Sequence, residues 1–164
     1  MRGLVKGALA SVVTISALAA GGGVAQAAEP APSSGDSGAR KEVCAFIERA
    51  DYPHISDAGS NIINVHGWWE WRSGTSSSCK SKYTEAKVTV YLQSSLDGKT
   101  WTTRSQGDKT VKPGGGSNYR AVAPYTCKNF LKTKWRSRVD VDVIGLIDDP
   151  TKVNGPSTDV KCGF

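Results

Sequence analysis

The stretch Lys87-Val88-Thr89-Val90-Tyr91-Leu92-Gln93 decides the class of fold, because Val88, Val90 and Leu92 alternate without exception with polar or amphipathic neighbours. Successive side chains of an extended chain point to opposite faces, so this period describes a half-buried β-strand and not a helix. Asp97-Gly98 follows, a pair suited to a two-residue type I′ hairpin turn. Setting Leu96 opposite Lys99 brings Ser94 opposite Trp101, Leu92 opposite Thr103 and Tyr91 opposite Arg104. Opposed residues of an antiparallel pair share a face, which predicts Trp101 in the core and Tyr91 beside Arg104 in solvent.

The same period recurs on both sides. Over residues 134–144, Trp135, Ser137, Val139, Val141 and Val143 take one face, and Arg136, Arg138, Asp140 and Asp142 the other. Over residues 62–72, Ile63, Val65, Trp69 and Trp71 fall inward, while His66, Trp68, Glu70 and Arg72 share the opposite face. Shorter strands are expected over residues 43–50, 119–123 and 157–162. Turn-rich segments separate them: residues 51–61, a serine-rich flexible loop over 73–78, Pro113 to Asn118, and Asn154-Gly155-Pro156. Some seven short strands and no helical pattern define an all-β chain. They predict an antiparallel β-sandwich of immunoglobulin-like connectivity, with a small closed barrel as the alternative.

The ends of the chain are of different composition. Arg2 and Lys6 precede an uncharged stretch over residues 7–28 that closes on Ala25-Gln26-Ala27, the pattern of an export signal over residues 1–27. A membrane anchor is the competing reading, but Gly21-Gly22-Gly23 dilutes the apolar run and no basic stop follows. Residues 28–40 are Ala, Pro, Ser and Gly with little apolar bulk, a disordered leader, and residues 41–164 form one folded domain. Removing residues 1–27 takes away two bases and no acid, leaving 137 residues and lowering the net charge from +6 to +4. Mild basicity with interspersed acids argues against a nucleic-acid binder and suits anionic surfaces such as wall polymers or acidic glycans. No membrane anchor is expected after processing.

Four cysteines, Cys44, Cys79, Cys127 and Cys162, lie at successive spacings of 35, 48 and 35. An even number in an exported chain points to disulfides, and the absence of close Cys pairs argues against zinc. The start of one antiparallel strand lies beside the end of its partner, which pairs Cys44 with Cys79 and Cys127 with Cys162. Each bond closes a loop worth roughly 4 kcal/mol in the chain-entropy model.

Residues 86–101, together with Trp135-Arg136-Ser137-Arg138-Val139-Asp140-Val141-Asp142, resemble short, exported, cysteine-paired β-sandwich proteins of filamentous actinobacteria of the Streptomyces type, a group of uncharacterised function. The resemblance implies a secreted β domain with two disulfides and assigns no catalytic residue.

Chemistry is sparse. Gly35-Asp36-Ser37-Gly38 matches a serine-protease nucleophile motif, but it precedes the folded region and the chain is too short for that double barrel. The glycine run Gly114-Gly115-Gly116 lacks the lysine and threonine of a phosphate loop. His66 and Glu70, four residues apart on a strand, are about 13 Å apart and form no direct acid–base pair. Asp140 and Asp142 have a separation compatible with glycosidases, yet Arg136 and Arg138 would keep both ionised. Asp148-Asp149 before Pro150 reads as a turn before it reads as a calcium site. The expectation is therefore a non-enzymatic protein with no cofactor and no metal. Its candidate ligand-binding face carries His66, Trp68, Glu70 and Arg72. Trp68 offers a flat apolar platform for a sugar ring of a polysaccharide or for another extracellular protein. A secreted inhibitor working through residues 73–78 and a small hydrolase are the other readings, and a covering loop over Trp68 would remove the first.

Overall fold

A computed structural model describes residues 44–57, 60–147 and 150–164. The expected signal segment, the leader and the Asp148-Asp149 pair lie outside these residues. In chain order the elements are β1 Phe46–Ala50, β2 His54–Ile55, β3 Ile62–Trp71, α1 Ser77–Lys82, β4 Ala86–Ser95, β5 Thr102–Val111, a 3-10 turn Ser117–Tyr119, β6 Ala121–Thr126, β7 Asn129–Val143 and β8 Val153–Gly163. They build two antiparallel sheets. In the first, β3 pairs with β6 on one side and with β1 and then β2 on the other; the second has the order β5-β4-β7-β8. With β1 and β2 taken as one interrupted edge, seven strands divide between the sheets in the immunoglobulin-like manner, with β3 and β6 beside that edge in the first sheet and β4, β5, β7 and β8 in the second. No closed barrel forms.

The inward positions of the long strands make the core. Ile63, Val65, Trp69, Val88, Val90, Leu92, Trp135, Val139, Val141 and Val143 are all buried, as alternation requires, and Trp71 packs partly buried against them. Trp69 donates its indole N–H to the Val111 carbonyl at 3.0 Å, and Trp135 donates to the Cys162 carbonyl and Thr133 Oγ1 at 2.9 Å each. Burying an indole removes on the order of 200 Å² from water, worth roughly 5 kcal/mol before entropy is charged against it. Cys44 is joined to Cys79 and Cys127 to Cys162, the pairing that strand geometry predicts.

Register departs from expectation at the first hairpin. The two-residue turn is replaced by a longer connection in which the Asp97 carboxylate accepts the backbone N–H groups of Lys99 and Thr100 at 2.8 Å, with Gly98 at φ +73°. Ser94 therefore faces Thr102 and Gln93 faces Thr103, one residue from the expected pairing. A one-residue slip turns every side chain over. Trp101 accordingly leaves the core and lies half-buried on the outer face, with the Arg136 guanidinium 4.4 Å from its ring centre. A bulge at Arg104 then restores the inward set, with Leu92 opposite Ser105 and Tyr91 opposite Gln106. Arg104 consequently does not meet Tyr91; it lies 3.8 Å over the Phe164 ring.

Two segments expected to be irregular are ordered by local chemistry. The Ser76 hydroxyl accepts the Cys79 N–H and caps α1, so the serine-rich loop ends in a short helix anchored by a disulfide. Asn154-Gly155-Pro156 is no turn but part of β8, an edge strand that tolerates proline. A Cβ at Gly155 would lie 2.0 Å from Ser137 Oγ, which explains the glycine at this register break.

Candidate functional site

The four residues expected to share a binding face are divided among three places. Trp68 and Glu70 stay together: the indole Nε1 donates to Glu70 Oε1 at 2.9 Å, and Arg49 approaches Glu70 at 3.4 Å from the facing strand β1. The glycine loop lies over this pair. Gly114 donates its N–H to the Trp69 carbonyl, and a Cβ at Gly115 would lie 2.8 Å from Trp68 Nε1. Arg120 donates to the Gly115 carbonyl and holds its guanidinium 5.1 Å from the Trp68 ring centre. Trp68 is thus half-buried inside a network rather than offered as an open platform. Arg72 is separate and exposed beyond the end of β3, beside a cleft of about 520 Å³ that Phe46 and Leu146 also line.

His66 has a different partner from the one its strand suggests. Its backbone N–H and its ring Nδ1 are bonded to the two oxygens of Asp51, at 2.7 and 2.6 Å, and not to Glu70. The cause is an interruption of the edge strand. Ala50 lies opposite Gly67 and His54 opposite Asn64, so three residues of the edge face two of β3. Pro53, within the extra segment, has no N–H for the ladder, and the Asp51 carboxylate takes the His66 N–H in place of a backbone carbonyl. His54 follows at once, and its ring stacks on His66 at 5.4 Å between centres and 24° between planes. These are the chain's only histidines, and strand periodicity gives no reason for them to meet.

The outer face of the second sheet carries a further cluster that strand alternation places but does not single out. Tyr91, Gln93, Arg136 and Arg138 stand side by side, since Tyr91 faces Arg138 and Gln93 faces Arg136. Arg136 donates to Gln93 Oε1 at 2.8 Å, and burial followed by the charge of Arg138 pulls its pKa below the usual arginine value. Lys152 reaches Asp140 at 2.6 Å and the Tyr91 hydroxyl at 2.8 Å, and its pKa is raised first by the Asp140 bond and then by Tyr91. Asp140 is thereby ion-paired with a lysine, an arrangement that suits a charge ladder better than a general acid. Arg138 lines a small cavity of about 140 Å³ with Tyr91, Gln93, Thr103 and Lys152. Its Nε–H is shielded from solvent and has no acceptor among the described residues.

No known protein family, curated protein or solved structure matches this chain. Two disulfides fit an oxidising environment, and among the described residues no helix is long and apolar enough to cross a membrane.

Proposed function

We propose that this chain is a secreted, non-catalytic binding domain that recognises an anionic extracellular polymer, an acidic glycan or wall polymer, through the outer face of its second sheet. The observation that carries the reading is Arg138, a half-buried guanidinium lining a cavity shared with Tyr91, Lys152, Thr103 and Gln93. A guanidinium carries five N–H donors, and a charge-assisted bond from it to an anionic oxygen entering the cavity would stabilise binding there. Arg136, Arg138 and Lys152 also leave this face a positive excess that Asp140 and Asp142 only partly offset, and Trp101 beside them adds an aromatic surface for a sugar ring. The face rests on four hydrogen-bonded strands, so little order has to be created on binding. The export-type amino terminus and the two disulfides support the extracellular setting.

Retention on heparin, used as an anionic glycan probe beside neutral dextran, tests the reading. Wild-type protein should be retained by heparin alone, and Arg138→Gln should elute at clearly lower salt than Lys80→Gln, which removes the same charge from exposed α1. Equal elution of the two variants, or no retention of the wild type at about 50 mM salt, where screening is weak, would refute it.

A protein-interaction reading has one observation of its own. Phe130 and Leu131 are 79% and 68% exposed where two residues of β7 oppose Cys162 alone. An inhibitor would use this apolar corner rather than the serine-rich segment, whose end is fixed by the α1 cap and the Cys79 disulfide.

A further inference from the structure

The geometry points to a second site, independent of the anionic face: Asp51, His54 and His66 form a binding site for a divalent transition-metal ion of the zinc or copper class. One ligand atom from each of the three residues lies within 4.8 Å of the others. Two imidazole nitrogens, one of them on a ring backed by a carboxylate, are a donor set that zinc and copper(II) accept and that calcium and magnesium do not favour.

The state of the rings supports the assignment more strongly than proximity does. His66 Nδ1 is bonded to the Asp51 carboxylate at 2.6 Å, and His54 Nδ1 to the Tyr52 carbonyl at 2.8 Å. A carboxylate and a carbonyl can only accept, so both neutral rings carry their proton on Nδ1 and keep the lone pair on Nε2. Histidines that ligate metals are held in this way, one nitrogen toward the ion and the other donating to a carboxylate or a backbone carbonyl. Both patterns occur here side by side. Asp51 is itself fixed, because its second oxygen accepts the His66 backbone N–H and its own N–H donates to the His66 carbonyl at 3.1 Å.

The placement allows entry and closure. His66 is part-buried on the central strand β3, whereas His54 is exposed on the two-residue strand β2. An ion with bonds of about 2.1 Å needs its donor atoms roughly 3.4 Å apart, so the site closes when the exposed His54 turns its Nε2 toward that of the fixed His66. The stacked rings, 24° from parallel, are brought together from the solvent side. Val122, opposite His66 on β6, walls the cluster with an apolar side chain. The bound ion would tie the interrupted edge strand to β3.

The chain has only two histidines and the described residues contain no free cysteine, which makes the test clean. Tag-free, disulfide-intact protein is titrated calorimetrically with ZnCl₂ and separately with CuCl₂. One equivalent of at least one ion should bind in the micromolar range or tighter. His54→Ala, at an exposed position, should weaken binding at least tenfold without lowering the melting temperature of the metal-free protein. Asp51→Asn should weaken it by roughly 10- to 100-fold by removing the orienting carboxylate. As a second measurement, the ion should raise the wild-type melting temperature, EDTA should reverse the rise, and His54→Ala should not show it. No saturable binding of either ion below about 100 μM, or one-equivalent binding unchanged in His54→Ala, overturns the assignment.

Discussion

Gly67→Ala should destabilise the domain even though glycine is a poor strand residue. Gly67 sits mid-strand in β3 between His66 and Trp68 and faces inward, opposite Ala50 on one side and Ala121 on the other. A Cβ there would lie 2.8 Å from Val139 Cγ2 and 3.0 Å from Val90 Cβ, both on the opposing sheet. Real carbon contacts at 2.8 Å do not persist, so a side chain or a sheet must move. Val139 is fully buried and β-branched, with little freedom at χ1, and Val90 is buried beside it. Overpacking of this kind costs about 1–3 kcal/mol, and replacing glycine in a strand returns about 0.5–1 kcal/mol. The net expectation is a loss of about 1.5 kcal/mol, or roughly 6 °C in Tm for a domain of this size.

The reasoning is tested by restoring the space from the other side. Val139→Ala alone should cost about 2.5 kcal/mol as transfer and cavity terms combine. In the double variant the new methyl at position 67 occupies part of the hollow, so its cost should fall at least 1 kcal/mol short of the sum. Urea unfolding followed by tryptophan fluorescence at constant m-value measures all three. If Gly67→Ala matches the wild type, or the two changes add to within about 0.3 kcal/mol, the sheets are not held apart by this contact.

Two further outcomes follow from the site geometry. Trp68→Ala should cost about 2 kcal/mol, since a half-buried indole loses its contact with Gly115 and its bond to Glu70, while heparin retention stays at the wild-type level; a stable variant with lost retention would return the binding face to the first sheet. Asp97 has its pKa lowered from 3.8 to about 2, first by the Thr100 N–H and then by that of Lys99. The unfolded chain then holds more protons between those values, so this stabilisation is complete above about pH 4 and is lost as pH falls through about 2. Stability of Asp97→Asn should depend less on pH across that window than the wild type, and parallel curves would show that the turn does not bind the carboxylate in solution.

The strand interiors were legible because alternation is a property of the backbone. Every residue that period two assigns inward over 134–144 is buried, and so are Ile63, Val65 and Trp69. The disulfides were legible for the same reason, since antiparallel order fixes which strand ends meet. Trp101 was not legible, because its face depends on the length of one turn, and the Asp97 side chain holds a longer turn than Asp-Gly suggests. His54 and His66 were not legible as a pair, since nothing in a periodic reading brings residue 51 and residue 54 to the same point on a neighbouring strand. Alternation gives Trp68 its face, but the loop that covers it comes from residues 114–116, whose glycines carry no periodic pattern to place them there.

The candidate chemistry gathers where the ladders break. The interruption between β1 and β2 delivers Asp51 and His54 to His66. The bulge between Leu92 and Gln93 releases Arg104 from the ladder, and the shifted register beyond it sets Trp101 under Arg136. The shift between Arg136 and Arg138 falls beside the unpartnered Nε of Arg138, and the one between Asn129 and Lys132 leaves Phe130 and Leu131 outside the pairing. All four breaks involve edge strands or their immediate neighbours, where a sandwich must also prevent pairing with other chains. A bulge does both, because it ends the regular template and re-aims one or two side chains out of the alternating order. The regular strands therefore supply a rigid and readable frame, and the residues able to meet a ligand stand at the points where that frame stops being periodic.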